Sequence, residues 1–220
     1  MTKLINMITI ETLVFNQWQE NTYLLYDETG EAVLIDCGVF YQEEGKKLVD
    51  IIDKKGLKLV HLLNTHLHID HVFGNQFMKD QFGLITKAHK ADEFLLAEAP
   101  NYGVRLGLEN VVEPPAMGDA IEEGDIIRFG NSELKVLHVP GHSPGHVVFY
   151  NEAQQFVIAG DVLFRESIGR TDLPYGNFED LITGIKTKLL VMDDDVKVYP
   201  GHGPSTTIGH EKKHNVFLRG

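Results

Sequence analysis

The run Thr65-His66-Leu67-His68-Ile69-Asp70-His71 puts three imidazoles and a carboxylate into the six residues from His66 to His71, and no other stretch constrains the chain as much. It directly follows Leu59-Val60-His61-Leu62-Leu63, an apolar run of the kind that forms a buried strand. The cluster therefore falls where a strand ends and the chain turns. His66 and His68 alternate with Leu67, so in extended geometry both project to one side, while Asp70 and His71 lie past the bend and approach from another direction. A short segment can surround a pair of metal ions in this way. The competing explanation is a polar loop in which histidines gather by chance. It loses ground because further histidines recur downstream in turns framed by glycine and proline.

Those turns are Pro140-Gly141-His142-Ser143-Pro144-Gly145-His146 and Pro200-Gly201-His202-Gly203-Pro204, and Ala159-Gly160-Asp161 adds a carboxylate. Each candidate ligand stands at a strand end beside a glycine, which lets the backbone come close to the site and turn sharply. Nitrogen and oxygen donors without a thiolate suit Zn, Fe or Mn. Of the eleven histidines, His61, His89, His138, His210 and His214 lack this framing and read as packing or surface residues. His146 is the exception among the unframed ones, a neighbour placed to support the ligands.

At 220 residues the chain is long enough for one substantial core and is expected to form one domain over 1–220. Its 43% hydrophobic and 24% charged content is that of an ordinary globular protein, and no apolar run approaches the roughly 18 residues needed to span a bilayer. The N-terminal stretch is interrupted by Asn6 and Thr9 and has no small-residue cleavage site, so it is not read as a signal peptide, and the cytoplasm is the expected compartment. A lone Cys37 excludes an intrachain disulfide and agrees with reducing surroundings. The formal charge of -12 repels phosphate backbones and no Lys/Arg stripe offsets it, which argues against nucleic-acid partners; no membrane partner is expected either. Two divalent cations set against Asp70 and Asp161 would nonetheless leave a locally electropositive pocket, suited to a small anionic substrate.

Short β-prone runs at 8–15, 22–26 and 32–35 read as a meander. A helix is expected within 41–55, stopped by Gly56, then the strand at 59–63, a helix over about 72–82 that places Phe73, Phe77 and Phe82 for burial, a strand at 84–86 and a helix at 90–98. Asp70 would stand near the N-terminus of the 72–82 helix, where the helix dipole favours a carboxylate. Residues 100–118 read as a connection, either a lid or an exposed loop. Strands at 125–129, 133–138, 147–150 and 156–159, a helix at 178–190 and a strand at 197–199 complete a second β-rich half. This order predicts an α/β fold of two sheets packed face to face with helices outside.

The motif series His-x-His-x-Asp-His, then His, Asp and His, resembles the metallo-β-lactamase superfamily over nearly the whole chain. The resemblance implies an αββα sandwich of two mixed sheets flanked by helices. It implies further that His66, His68 and His142 hold one metal, that Asp70, His71 and His202 hold a second, and that Asp161 bridges them. Asp36 matches an acidic residue that supports the ligand loops in that family. Asp161 stands where class B lactamases commonly carry cysteine, which argues against a lactamase. The segment from Phe164 to Pro174, the Gly201 to Gly209 stretch and the end Glu211-Lys212-Lys213-His214-Asn215 look like short, single-domain members of the glyoxalase II (hydroxyacylglutathione hydrolase) group. The chain ends soon after His202, without the helical region that binds glutathione in longer members. Thioester chemistry is accordingly the expectation, with the thiol carrier open.

Two metals about 3.5–4 Å apart can share a water and bring its pKa toward 7, so a metal-bridging hydroxide is the expected nucleophile, oriented by Asp70. Arg170 is the candidate for gripping a substrate carboxylate, since a guanidinium offers bidentate donors. The expected cofactors are two divalent transition-metal ions, Zn foremost, with Fe or Mn as alternatives. A persulfide dioxygenase with a single iron is the rival enzyme reading, and a non-catalytic metal-bound binding module is a third.

Overall fold

The computed structural model describes residues 7–109 and 111–219. The signal-peptide reading rests partly on residues 1–6, and Asn110 belongs to the 100–118 connection; both lie outside the described residues. Thirteen strands are described, and eleven of them build two sheets. The first sheet has the order β1 (Thr9–Phe15), β2 (Glu20–Tyr26), β3 (Glu31–Ile35), β4 (Lys58–Leu63), β5 (Thr86–Lys87). Its first three strands form the expected antiparallel meander, and β3, β4 and β5 run parallel.

In chain order the second half supplies β6 (Ile126–Phe129), β7 (Ser132–His138), β8 (Val147–Asn151), β9 (Phe156–Gly160), a small hairpin of β10 (Leu163–Phe164) and β11 (Ser167–Ile168), then β12 (Lys197–Pro200) and β13 (Thr206–Thr207). The second sheet runs β13-β12-β9-β8-β7-β6. Within it only β9 and β12 pair in parallel.

Alternation along the strands explains the layering. Tyr23, Leu25, Val33 and Ile35 face one way and meet Val136, Val147, Phe149 and Ile158 from the other sheet in a core between the two. Their neighbours Leu24, Ala32 and Leu34 face the opposite way, onto Leu48 and Ile52 of α1 (Gln42–Lys55) and Met78 of α3 (Asn75–Phe82). On the far side Val148, Val157 and Ala159 pack on Leu181 of α5 (Phe178–Gly184) and Ile208 of α6 (Ile208–His214). A period of two in a strand buried on both faces yields four layers, helices, sheet, sheet, helices. This is the α/β sandwich that the order of elements predicts.

The departures have local causes. The expected 72–82 helix is broken, with one turn at α2 (Ile69–Val72) and α3 starting after Gly74, whose N–H donates to Cys37 O at 2.8 Å in place of a helical carbonyl and where a Cβ would strike the Cys37 sulfur. Asp70 thus sits in a single turn, too short for the dipole argument to carry weight. Phe73 is buried, while Phe77 and Phe82 are only partly so. In place of a helix at 90–98 there is a 3₁₀ turn at Lys90–Asp92 followed by α4 (Phe94–Arg105). Pro100 lies inside α4 and removes one helical hydrogen bond, but Leu96 and Ala99 are buried against Leu67, Val72 and Ile69, which outweighs the loss. The irregular connection therefore begins only after Arg105. The 178–190 helix becomes α5 and a π-helical turn, Ile185–Leu189. Among the described residues no helix is long and apolar enough to cross a membrane.

Asp27 staples the two halves at the end remote from the histidine cluster. Its buried carboxylate accepts from Thr29 N (3.0 Å) and Oγ1 (2.5 Å) in its own turn, and from Asn131 N (2.7 Å) and Ser132 Oγ (2.8 Å) in the β6–β7 turn. Burial opposes its ionisation, but these donors outweigh burial and hold its pKa below the ordinary value. A depressed carboxyl contributes stability above its unfolded value near 3.9, lost as pH falls through the lower folded value. Asp27→Ala should cost about 2 kcal/mol at neutral pH, a fall in Tm of roughly 4–8 °C. In thermal melts the gap to the parent should narrow as pH drops below about 4.

Candidate metal centre

Six strand ends or turns converge at one edge of the sandwich. Asp36 follows β3, His66 follows β4, His142 follows β7, Asp161 follows β9 and His202 follows β12, while α2 carries Asp70 and His71. Close approach requires glycine at two of these points. A Cβ on Gly201 would strike the Asp161 carboxylate and the His71 ring; one on Gly160, whose φ is +48°, would strike Thr65 and His146.

The ligand-capable atoms of His66, His68 and His142 lie within 4.8 Å of one another, as do those of Asp70, His71 and His202. Asp161 stands between the groups: Oδ2 is 3.6 Å from His142 Nε2 and 3.8 Å from His202 Nε2, and Oδ1 is 3.5 Å from His71 Nε2. His202 Nε2 is 3.1 Å from Asp70 Oδ2, and His68 Nδ1 is 2.9 Å from His142 Nε2. All seven side chains that the sequence singles out as ligands are therefore brought together.

Their rings are aimed by the nitrogen that faces away. His142 Nδ1 donates to Arg170 O at 2.8 Å and His202 Nδ1 to Trp18 O at 3.1 Å; because a carbonyl only accepts, each Nδ1 carries a proton and Nε2 is the nitrogen turned toward the site. His71 Nδ1 is 3.1 Å from Asp36 Oδ2. Asp36 also accepts from Thr65 N and Oγ1, both at 2.7 Å, and from Asn64 Nδ2 at 3.2 Å. Although Asp36, His66 and His71 form a third close group, this carboxylate is occupied in anchoring the loop that carries His66. His146 is buried, stacks on His66 with centroids 4.6 Å apart, and accepts from Asp161 N at 3.0 Å.

Electrostatics separate the rings into two kinds. Burial holds His66 and His146 well below the ordinary imidazole value and lowers His68 to about 3, so these rings stay neutral with lone pairs available. His71 and His202 go the other way, since burial is outweighed by Asp70 and Asp161, joined at His71 by Asp36. Asp161 and Asp70 are held below the carboxylate range despite burial, chiefly by His71. His66 Nε2, His71 Nε2 and Asp161 Oδ1 are buried without a hydrogen-bond partner. A cluster of unpartnered imidazole nitrogens and carboxylate oxygens fits a divalent cation, which supplies the missing partner.

A cleft of about 290 Å³ opens onto this cluster, with Trp18, Tyr102, Arg170 and Leu173 in its walls. Arg170 is exposed, and its guanidinium pairs bidentately with Asp172 at 2.7 and 2.8 Å. Sequence reasoning missed Glu20, fully buried, with Oε1 3.9 Å from His71 Nδ1 and its own backbone bridged to His202. It missed Asp92 as well, which accepts from Ser143 Oγ (2.6 Å), Gly145 N (2.5 Å) and Leu67 N (3.4 Å) and so ties the His142 turn to the His66-Leu67-His68 run. Neither acid stands near a histidine motif that would mark it. Trp18, the single tryptophan, in a polar turn, is the one signal that was available.

The sequence model of the metallo-beta-lactamase superfamily matches residues 16–202, and the chain belongs to that superfamily. It is 38% identical over 219 residues to the hydroxyacylglutathione hydrolase GloC of Haemophilus influenzae, covering 96% of this chain and 98% of that protein. Among solved structures it is similar to the B3 metallo-beta-lactamase BLEG-1 (TM-score 0.88, 32% identity, 96% of this chain and 100% of that one). It is also similar to TTHA1623 in a di-iron-bound form (0.84, 38%, 94% and 100%) and to ETHE1 from Myxococcus xanthus (0.76, 26%, 94% and 83%). The fold and its His/Asp clusters imply divalent metal ions.

Removing the Asp92 carboxylate would leave three donors unmatched in a dry interior. Asp92→Ala should cost about 3 kcal/mol in denaturant unfolding, and elemental analysis should find less divalent metal bound than in the parent.

Proposed function

We propose that the protein is a cytoplasmic, single-domain metallo-hydrolase that cleaves thioesters in the manner of a hydroxyacylglutathione hydrolase. The observation that carries this reading is its near full-length similarity to GloC. His66, His68 and His142 would hold one divalent ion and Asp70, His71 and His202 the second, with Asp161 shared. The donor set favours Zn, with Fe or Mn as alternatives, and TTHA1623 is a di-iron precedent in a similar chain. When bound, the ions lower the pKa of a water toward neutrality and offset charge on the carbonyl oxygen.

The reaction consumes one water and one thioester. The water oxygen adds to the acyl carbon, the carbon–sulfur bond breaks with its electron pair on sulfur, and the water's proton ends on the thiolate, giving a carboxylic acid and a thiol. Asp70, ionised because His71 and His202 stand beside it, accepts a hydrogen bond from the attacking water and turns its lone pair toward the carbonyl. A thiol with a pKa of about 8.5 leaves without a strong general acid. Asp36 and His146 keep the ligand loops in register. Arg170, on the cleft wall and oriented by Asp172, would meet an anionic group of the substrate.

The experiment begins with metal analysis of protein purified without added metal, followed by a panel of thioesters, a β-lactam and a persulfide. His202→Ala should leave one metal and lower thioester kcat by orders of magnitude. Oxygen uptake with the persulfide and no thioester turnover under any metal supplement would instead establish the dioxygenase reading, for which the similarity to ETHE1 is the supporting observation; that variant would then keep its iron and much of its uptake. No turnover of any substrate by the metal-loaded parent would leave the binding-module reading.

Arg170→Ala should raise KM for anionic thioesters about tenfold or more while changing KM for neutral ones little, since a lost charge-assisted contact matters only where it has a partner. Equal effects on both classes would make Arg170 structural.

A further inference from the structure

Beside the metal-facing cleft lies a second, smaller cavity of about 90 Å³. The two share His68, Ile69, Tyr102 and Leu173 as a common wall, so they are two ends of one space. At the small end the lining turns apolar: Leu67 and Ala99 are buried at its base, and Leu95, Leu173 and Pro174 form its sides. The charged groups Glu98 and Arg105 are exposed, at its mouth. Helix α4 makes one wall and the loop after Arg170 the other, and these are held together by the edge-on contact of Phe94 with Tyr175, centroids 4.9 Å apart.

We propose that this cavity receives the acyl group of the substrate and limits it to short, aliphatic chains, with Ala99 setting the depth. The inference rests on the thioester hydrolase reading and specifies its substrate class. A thioester has two arms on its carbonyl. The thiol carrier is the larger and more polar arm, and its amides or carboxylates would lose their hydrogen bonds among Leu67, Leu95 and Ala99; it belongs in the wider cleft by Arg170 and Trp18. An acyl chain without polar substituents loses nothing there and gains from leaving water, by about fourfold in affinity per buried methylene. Size sets the limit, because a cavity of about 150 Å³ is known to accept benzene and this one is smaller.

The test uses acetyl, butyryl and benzoyl thioesters of one thiol, together with calorimetric binding of acetate, butyrate and benzoate to the metal-loaded protein. In the parent, kcat/KM and carboxylate affinity should both rise from acetyl to butyryl and fall at least tenfold at benzoyl. Ala99→Leu should lower the butyryl-to-acetyl ratio at least tenfold, and Leu95→Ala, which enlarges the space, should raise the benzoyl-to-acetyl ratio. Thioester cleavage with a flat chain-length profile that neither substitution moves overturns the pocket and leaves the hydrolase reading standing. Carboxylate affinities that follow the pocket without any thioester cleavage overturn the hydrolase reading alone. Flat affinities and no cleavage overturn both.

Discussion

Packing five candidate-ligand imidazoles together with Asp36, Asp70 and Asp161 into one largely dry space is the constraint that the rest of this structure answers. Each group alone would cost several kcal/mol to bury, and no single strand or loop has enough polar atoms to satisfy them. The fold meets the demand by bringing strand ends from both sheets to one edge. There, backbone carbonyls of Arg170 and Trp18 take one nitrogen each of His142 and His202 and turn the other inward, while the Asp36 carboxylate lies 3.1 Å from His71 Nδ1. What remains unpartnered is a compact set of polar atoms on His66, His71 and Asp161. That residue of unsatisfied polarity is what a cation completes, so burial, ring orientation and metal affinity are consequences of one arrangement.

The layers could be read from the sequence because a strand buried on both faces and a strand end followed by glycine are local patterns. Val33, Leu34 and Ile35 show their burial in their composition, and the turns around His142 and His202 show theirs in flanking glycine and proline. The seven candidate ligands lie together in space because each marks a strand end, and strand ends on one edge of a sandwich meet. Asp92 and Glu20 could not be found this way. Their importance comes from partners dozens of residues distant, Ser143 and Gly145 for one, His71 for the other, and neither sits in a pattern that repeats. Helix α4 failed for a related reason: Pro100 argues locally for an end, whereas Ala99 and Leu96 find burial that overrides it.

The division of labour around the cleft follows chemical lines. Polar residues at strand ends face the reacting centre, where charge must be balanced, and the apolar face of α4 lines the space beside it. Strand ends are fixed by ladders of hydrogen bonds and can hold atoms to fractions of an ångström, as a reacting centre requires. A helix laid over the edge has fewer such ties, and its side chains can vary without disturbing the ladder.

The first sheet and the last long strand are laced together at the site. Asn21 N donates to Gly201 O, Asn21 Nδ2 to Pro200 O and Gly203 O, and Tyr23 Oη to Pro200 O, contacts that span about 180 residues of chain. Closing a loop of that length costs entropy before any contact repays it, and such long-range pairings form late. While a ribosome still holds the stretch around Pro200, the histidines near the middle of the chain are already made but His202 and its anchoring carbonyl on Trp18 have not met. With His202 as a proposed ligand, full cation capture would wait on completion of synthesis, and a chain cut before His202 would be left with a partial, weaker chelator.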